Sequence, residues 1–191
     1  MKTKKYLLAG ALVLSLSTPA MAQEGGYKAA LNPIISAIEA APNDAKAGKD
    51  LIKAYMKSFK KDEEALAALG NVYLAQRNFT EAKKVANTII SNKKLNGSKG
   101  YLLLGDIDAL QDSVGNAGAA AASYETAISL DPHNIPAYER YAKIYRHVSP
   151  ETSVKKLEEL RKVEPNYPVE ATAAEIMMGD GKYEEALQWF D

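Results

Sequence analysis

Apolar side chains recur at spacings of three and four positions along most of the chain after Gly25-Gly26. This spacing is typical of amphipathic helices, because 3.6 residues per turn bring such positions onto one face. No run of alternating β-branched residues is long enough to predict a strand. The pattern therefore predicts an all-α fold, with helices over Tyr27–Ala41 and Asp44–Lys60 at its start.

Local signals predict where helices begin and end. Asn78 with Glu81 three residues later resembles a capping box, and Ser149–Glu151 combines an N-cap serine, a first-turn proline and an acid at the positive end of the helix dipole. Asn32-Pro33 places a proline at or near a first turn. Breaks are expected at Pro42-Asn43, Asn96-Gly97, Asp131-Pro132, Pro165-Asn166 and Gly179–Gly181.

Internal repetition distinguishes a solenoid from a bundle. A similar segment occurs twice, as Phe79–Ala82 and as Tyr183–Ala186. The two copies are 104 residues apart, which is three periods of about 34 residues plus two residues. Pro132 and Pro165 are 33 residues apart, and Gly70 and Gly105 are 35 apart. Three independent pairs give a period near 34, which excludes a simple four-helix bundle.

A period of 34 with these residues resembles the tetratricopeptide repeat, whose pattern is W-x2-L-G-x2-Y, then A-x3-F, then P. The first match comprises Leu66, Leu69, Gly70, Tyr73, Ala82 and Ala86. The second comprises Tyr101, Leu104, Gly105, Ala120, Tyr124, Ala127 and Pro132, with about three extra residues in the turn around Asp112–Gly118. The third comprises Tyr138, Tyr141, Ala142, Tyr145, Leu157, Leu160 and Pro165, and a fourth begins near Tyr167 with Ala173, Ala174, Met177, Ala186 and Phe190.

The resemblance implies a right-handed α-solenoid of antiparallel helix pairs, with small residues where helices cross and each pair covering the apolar face of the next. The expected array covers residues 63–191, as repeats 63–97, 98–134, 135–166 and an incomplete 167–191. Residues 23–61 are expected to form an N-terminal cap or a degenerate repeat. Because the sequence stops inside a second helix, we expect either a fragment of a longer repeat protein or an edge left open for a partner.

Residues 1–22 carry the three parts of a secretory signal peptide. A basic start precedes an apolar stretch from Tyr6 to Leu16, and Ala20–Ala22 provides a small-x-small cleavage site. The apolar stretch is too short for a membrane span, which needs about 20 residues. Residue 23 is glutamine, whereas a bacterial lipoprotein would need cysteine there. We therefore expect cleavage after Ala22, no lipid anchor, no later transmembrane segment, and a periplasmic or secreted protein.

Composition narrows the function further. The 191 residues include 24 Lys plus Arg against 24 Asp plus Glu, and removal of the leader leaves a net charge of −3, without the basic character of nucleic-acid-binding domains. The absence of cysteine excludes disulfides, thiolate metal sites and a cysteine nucleophile. No nucleophile elbow, dinucleotide fingerprint or P-loop is present, so we expect no catalytic residue, no cofactor and no small-molecule substrate.

The resemblance also implies where a partner binds, since such proteins usually hold peptides in the concave groove lined by the first helix of each pair. Asn71, Asp106, Lys143 and Glu175 occupy equivalent groove positions, and Glu139, Arg140 and Arg146 share a helix with Lys143. Asn71 matches the carboxylate clamp of chaperone-binding repeats, but Ala67 replaces the lysine expected four residues earlier, so that clamp is not assembled. The alternative is that these seven residues are ordinary solvated polar positions.

Other polar residues give weaker signals. Asp108 replaces a packed tyrosine of the motif, and it either turns toward the groove or is relieved by the inserted loop. Asp106, Asp108 and Asp112 lack the glycine and closing glutamate of an EF-hand. His133 and His147 have no zinc-helix partner four residues away, so a structural or solvent-facing role is expected. No metal site is predicted.

The sequence thus predicts a non-enzymatic protein-interaction scaffold of the cell envelope that binds a protein or peptide segment in a concave groove. One alternative is a structural subunit of an envelope assembly or secretion complex that docks through an apolar edge near Trp189 and Phe190. Another is the helical accessory part of a longer protein.

Overall fold

The computed structural model describes residues 26–41, 44, 46–111 and 117–190. The predicted leader, the Pro42-Asn43 break and residues 112–116 of the inserted loop lie outside the described residues. Within the described part the fold is all-α, as predicted. Its helices are α1 (Gly26–Ala40), α2 (Lys49–Ser58), α3 (Glu63–Ala75), α4 (Phe79–Ser91), α5 (Ser98–Gln111), α6 (Ala117–Leu130), α7 (Ile135–Tyr145), α8 (Pro150–Val163), α9 (Glu170–Gly179) and α10 (Tyr183–Leu187).

The helices pack in chain order. From α3 to α10 each helix contacts the next one along the chain, and the first helices of successive pairs, α3, α5 and α7, also contact one another. The first helix α1 packs on α2 and α3. This is the connectivity of a solenoid, in which every pair touches only its neighbours. None of the helices in the described part is both long and apolar enough to cross a bilayer.

The hydrophobic core runs along the array instead of forming one centre. One cluster joins α1 to α5 around Ile34, Leu69 and Ile89, which are fully buried. A second joins α5, α6 and α7 around Tyr124 and Tyr141, and a third joins α7 to α10. Stability is therefore expected to depend on nearest-neighbour interfaces.

Side-chain caps start several helices where the sequence predicts them. Asn78 Oδ1 accepts a hydrogen bond from the backbone N–H of Glu81 at 3.2 Å, and Ser149 Oγ accepts one from the backbone N–H of Thr152 at 3.3 Å. Asp62 caps α3 in the same way. These caps satisfy backbone donors that a helix cannot satisfy internally.

Two predictions at the N-terminal end were wrong. Pro33 lies inside α1, not at its start, because Tyr27 and Leu31 pack against the core and hold the preceding turn helical. The second helix begins at Lys49, not at Asp44. Asp44 Oδ1 accepts from the backbone N–H of Lys46 at 2.8 Å, and Gly48 has φ +67°, so a turn replaces the first helical turn.

The end of the segment assigned to the inserted loop from the sequence is helical instead. Gly118, placed in the loop by the sequence, belongs to α6. The alanine-rich start of α6 favours a helix strongly enough to include a glycine in its first turn.

Polar contacts between repeats fix the spacing of the pairs. The carboxylate of Glu63 accepts hydrogen bonds from the backbone N–H groups of Asn96, Gly97 and Lys99 at 2.8–3.1 Å, so a side chain of one pair caps the first helix of the next. Buried Ser98 and Asn134, one period apart, are linked by a 2.7 Å hydrogen bond. Polar contacts of this kind determine the register of neighbouring pairs.

Candidate partner-binding groove

The seven predicted groove residues lie on the first helices of four successive pairs. Asn71 is on α3 and Asp106 is on α5, while Glu175 is on α9. Glu139, Arg140, Lys143 and Arg146 lie on α7 or at its C-cap. Contacts between helices place several of these residues on facing sides of neighbouring first helices.

Asp106 is nearly buried, with 12% of its side chain exposed. It forms an ion pair with Arg140 of the next repeat, and it accepts a 3.0 Å hydrogen bond from the Tyr124 hydroxyl of its own repeat. Burial raises the pKa of Asp106 above its ordinary value, although the Arg140 charge and the Tyr124 hydrogen bond oppose that rise. Burial, together with the Asp106 charge, also raises the pKa of Tyr124. This cluster links three helices and is already satisfied without a ligand.

A second cross-repeat ion pair lies nearer the C-terminal end and is more open. Arg146 Nη1 lies 3.5 Å from Glu175 Oε1, and 68% of the Glu175 side chain is exposed. Arg146 Nε also donates to Nε2 of the adjacent His147 at 3.1 Å. An exposed pair at this distance contributes little to stability, so both groups remain accessible to a partner.

Glu139 also contacts the following repeat. Its carboxylate accepts a 2.8 Å hydrogen bond from the hydroxyl of Tyr167, which raises the pKa of that tyrosine. Glu139 is half-buried and therefore helps to position the turn that precedes α9.

Asn71 and Lys143 are exposed, as is Glu175, but these two differ from Glu175 in their contacts. Neither forms an ion pair or a side-chain hydrogen bond with another described residue. Lys143 stands on α7 between Arg140 and Arg146, whose counter-ions are supplied by α5 and α9. The middle of the array therefore presents one cation that no described carboxylate neutralises.

Asp106 and Arg140 are both among the predicted groove residues, but their pairing is not predicted. Their separation of 34 residues, one repeat period, together with their opposite charges, was the available signal. The motif predicts Tyr124 and Tyr167 only as packing residues, yet each donates a hydrogen bond to a predicted groove carboxylate.

A cavity of about 520 Å³ adjoins the open ion pair. It is lined by Arg146, His147, Glu175 and the apolar side chains of Val148 and Ile176 among others. Its volume lies within the range of ligand pockets, and its lining mixes charge with apolar surface. It can receive a side chain of a bound segment next to the α7 cations.

The other polar candidates have structural surroundings. His133 Nδ1 lies 2.6 Å from Glu164 of the next turn, and Asp108 is half-buried on α5. In the described residues no three His, Asp or Glu side chains come together as a metal-binding group.

No protein-family model matches this sequence, and no curated protein matches it. Solved structures do. A structure described as the crystal structure of MamA protein covers 86% of this chain and 87% of its own, at 17% identity and a TM-score of 0.57. A second, described as the crystal structure of MamA, covers 80% of this chain and 88% of its own, at 18% identity and a TM-score of 0.56.

A third similar structure is described as TTC0263, a thermophilic TPR protein in Thermus thermophilus. It covers 84% of this chain and 88% of its own, at 19% identity and a TM-score of 0.58. At these identities the likeness concerns the fold alone, and it agrees with the helix pairs and the period near 34 residues. The chain therefore has the tetratricopeptide-repeat fold, an all-α solenoid of antiparallel helix pairs.

Proposed function

We propose that this chain is a non-enzymatic scaffold that binds a segment of a partner protein in the groove formed by α3, α5, α7 and α9. Solenoids of this kind present extended concave surfaces, and an extended or helical segment can lie across several repeats there. No cofactor is required for this activity. The predicted groove residues divide into those that brace the array and those that are free to select a partner.

The observation that carries the proposal is the exposed Lys143 of α7, which lies between Arg140 of the same helix and Arg146 at its C-cap. Arg140 is held by the nearly buried Asp106, so its charge is largely compensated within the fold. Arg146 is only weakly held by Glu175, and the cavity of about 520 Å³ lies beside it. Lys143 and Arg146 are thus the groove cations that a carboxylate-bearing segment can reach.

We also propose that this function is carried out outside the cytoplasm. The support is the sequence of residues 1–22, with its basic start, short apolar stretch and Ala20–Ala22 site. Detection of a mature chain beginning at Gln23 in the periplasmic or culture fraction would test this part separately. A chain retained in the cytoplasm with its leader intact would contradict it.

The groove is tested by crosslinking and pull-down from the native cell envelope with three forms of the protein: wild type, Lys143→Glu plus Arg146→Glu, and Lys155→Glu plus Lys162→Glu. The third form makes the same charge change with exposed lysines of α8, the second helix of the same repeat. We expect the first pair of substitutions to abolish recovery of a partner and the second pair to leave it unchanged. Circular dichroism would check that all forms are folded.

Equal recovery by all three forms would overturn the groove as the binding site. Loss with both double variants would indicate a general dependence on charge instead of a groove. Either result would favour the structural alternative, in which an envelope subunit docks through the apolar edge near Trp189 and Phe190. At this edge the side chains of Leu187 and Phe190 are 67% and 64% exposed.

A further inference from the structure

The last helix pair exposes an apolar face that no described helix covers. Its members are Met178, Tyr183, Leu187 and Phe190, which are 54–67% exposed, and we call them the C-terminal face. Tyr183 and Leu187 are spaced i and i+4 on α10, and Phe190 follows three residues after the end of that helix. Ala186 of α10 and the half-buried Trp189, two residues beyond the helix, instead pack on the preceding helices.

The preceding repeats show what the position of Phe190 contacts inside the array. Phe190 corresponds, 104 residues on, to Ala86 of α4, which is fully buried. A Cβ added to Gly100 of α5 would lie 3.0 Å from the Ala86 carbonyl oxygen, so this position is where the first helix of the following pair docks. The C-terminal face therefore has the place of a surface that receives a further helix pair.

The opposite end of the array carries the complementary charge. Residues 26–62 contain seven lysines and four acids, a net charge of +3, and all seven lysines are exposed. Residues 167–191 contain six acids and one lysine, a net charge of −5. Glu184 and Glu185 directly border the C-terminal face and are exposed. Two C-terminal faces would repel each other, whereas one C-terminal face and one N-terminal pair attract.

We propose that the C-terminal face binds the basic N-terminal helix pair, α1 and α2, of a second copy of this chain. Such an interface is head-to-tail, so each copy keeps one free end and further copies can add. The outward side of α1 carries small and polar residues, including Ala29 and Ser36, which permit close approach of large apolar side chains. This inference is independent of the groove, because none of its residues belongs to the groove set.

The test is sedimentation velocity of the chain from Gln23 onward at concentrations from about 1 to 500 µM, at low and high salt. We expect the average mass to rise with concentration, and less so at high salt. Lys53→Glu plus Lys57→Glu on α2 should weaken association about tenfold or more, as should Glu184→Lys plus Glu185→Lys. Lys93→Glu plus Lys94→Glu, an equal charge change in the exposed α4–α5 turn, should have no such effect.

A variant that combines the two charge reversals, the charge swap, is the decisive test of the head-to-tail interface. A chain that carries both the Lys53/Lys57 and the Glu184/Glu185 reversals should associate again, because opposite charges once more face each other. Failure of the swap to restore association would overturn the proposal, as would a monomer at every concentration. Association that survives the α2 reversal but is lost in Leu187→Ser would indicate contact between two C-terminal faces, which also overturns it.

Discussion

Helices α4 and α10 begin with matching segments but have opposite surroundings. Ala82 and its counterpart Ala186 are both buried, at 0% and 3% exposure, because each packs within its own pair. Ala86 is fully buried, whereas its counterpart Phe190 is 64% exposed. The difference is the presence of a following pair: α5 covers α4, and no described helix covers α10. In this fold, a residue is buried when a neighbouring repeat is there to cover it.

The largest expected difference between the interior and the C-terminal end concerns glycines. A Cβ at Gly105 would overlap the ring of Tyr124, whereas a Cβ at Gly179 would meet nothing within 4 Å. We expect Gly105→Ala to lower the free energy of unfolding by about 1–3 kcal/mol through overpacking. Gly179→Ala should not lower the free energy of unfolding, and we expect it to raise that energy by roughly a few tenths of a kcal/mol because alanine has the higher helix propensity. Denaturant unfolding measures both.

Gly70 provides a control for this comparison. Its nearest neighbour is Cδ2 of Leu103, in the next repeat instead of in its own pair, and the end of a leucine side chain can rotate away. Gly70→Ala should therefore cost less than Gly105→Ala. Equal losses for Gly105→Ala and Gly179→Ala would contradict the idea that close helix crossing distinguishes the interior.

Arg140 of α7 and Arg146 at its C-cap give a smaller contrast. Arg140→Ala leaves the carboxylate of Asp106, which is nearly buried, with Tyr124 alone, and we expect a loss of about 1–2 kcal/mol after allowing for the partial exposure of the arginine. Arg146→Ala frees the well-exposed Glu175 and should cost less than about 0.5 kcal/mol. Thermal and denaturant unfolding of the two variants would check this. A larger loss of stability from Arg146→Ala than from Arg140→Ala would contradict the assignment of Arg140 as the cation that stabilises the fold and Arg146 as the accessible one.

The smallest expected effect is in the pH dependence of the free energy of unfolding. Burial raises the pKa of Asp106 above its ordinary 3.8, so the folded state binds a proton at this carboxyl group more readily than the unfolded state does. The contribution of Asp106 to the free energy of unfolding therefore rises as the pH falls toward 3.8. The hydrogen bond from Lys182 lowers the pKa of the exposed Glu151 below 4.5. The contribution of Glu151 is present above 4.5 and is lost as the pH falls through its folded pKa.

Stability curves of Asp106→Asn and Glu151→Gln would test these opposite signs. Relative to wild type, Asp106→Asn should become less stable as the pH is lowered, because wild type gains, and Glu151→Gln should become more stable, because wild type loses. The free energy of unfolding measured at several pH values gives both slopes. Slopes of the same sign would contradict the direction of the pKa shift of one of the two carboxyl groups.

Much of the fold follows from local sequence signals. Helical periodicity, the Asn78 and Ser149 caps and the repeat period predict an all-α solenoid, and the structure confirms it. The start of α2 and the position of Pro33 were not predictable in this way. The packing of Tyr27 and Leu31 outweighs the local preference of proline, and the hydrogen bond from Lys46 to Asp44 replaces a helical turn.

The candidate groove shows the same division. The sequence alone determined the helix pairs, their period and which polar residues lie on the first helices, because these depend on spacing along the chain. Only the tertiary structure decided that Asp106 is paired and nearly buried while Lys143 is exposed. The physical reason is that pairing and burial depend on side chains one repeat away, brought within a few ångströms only when the helix pairs stack.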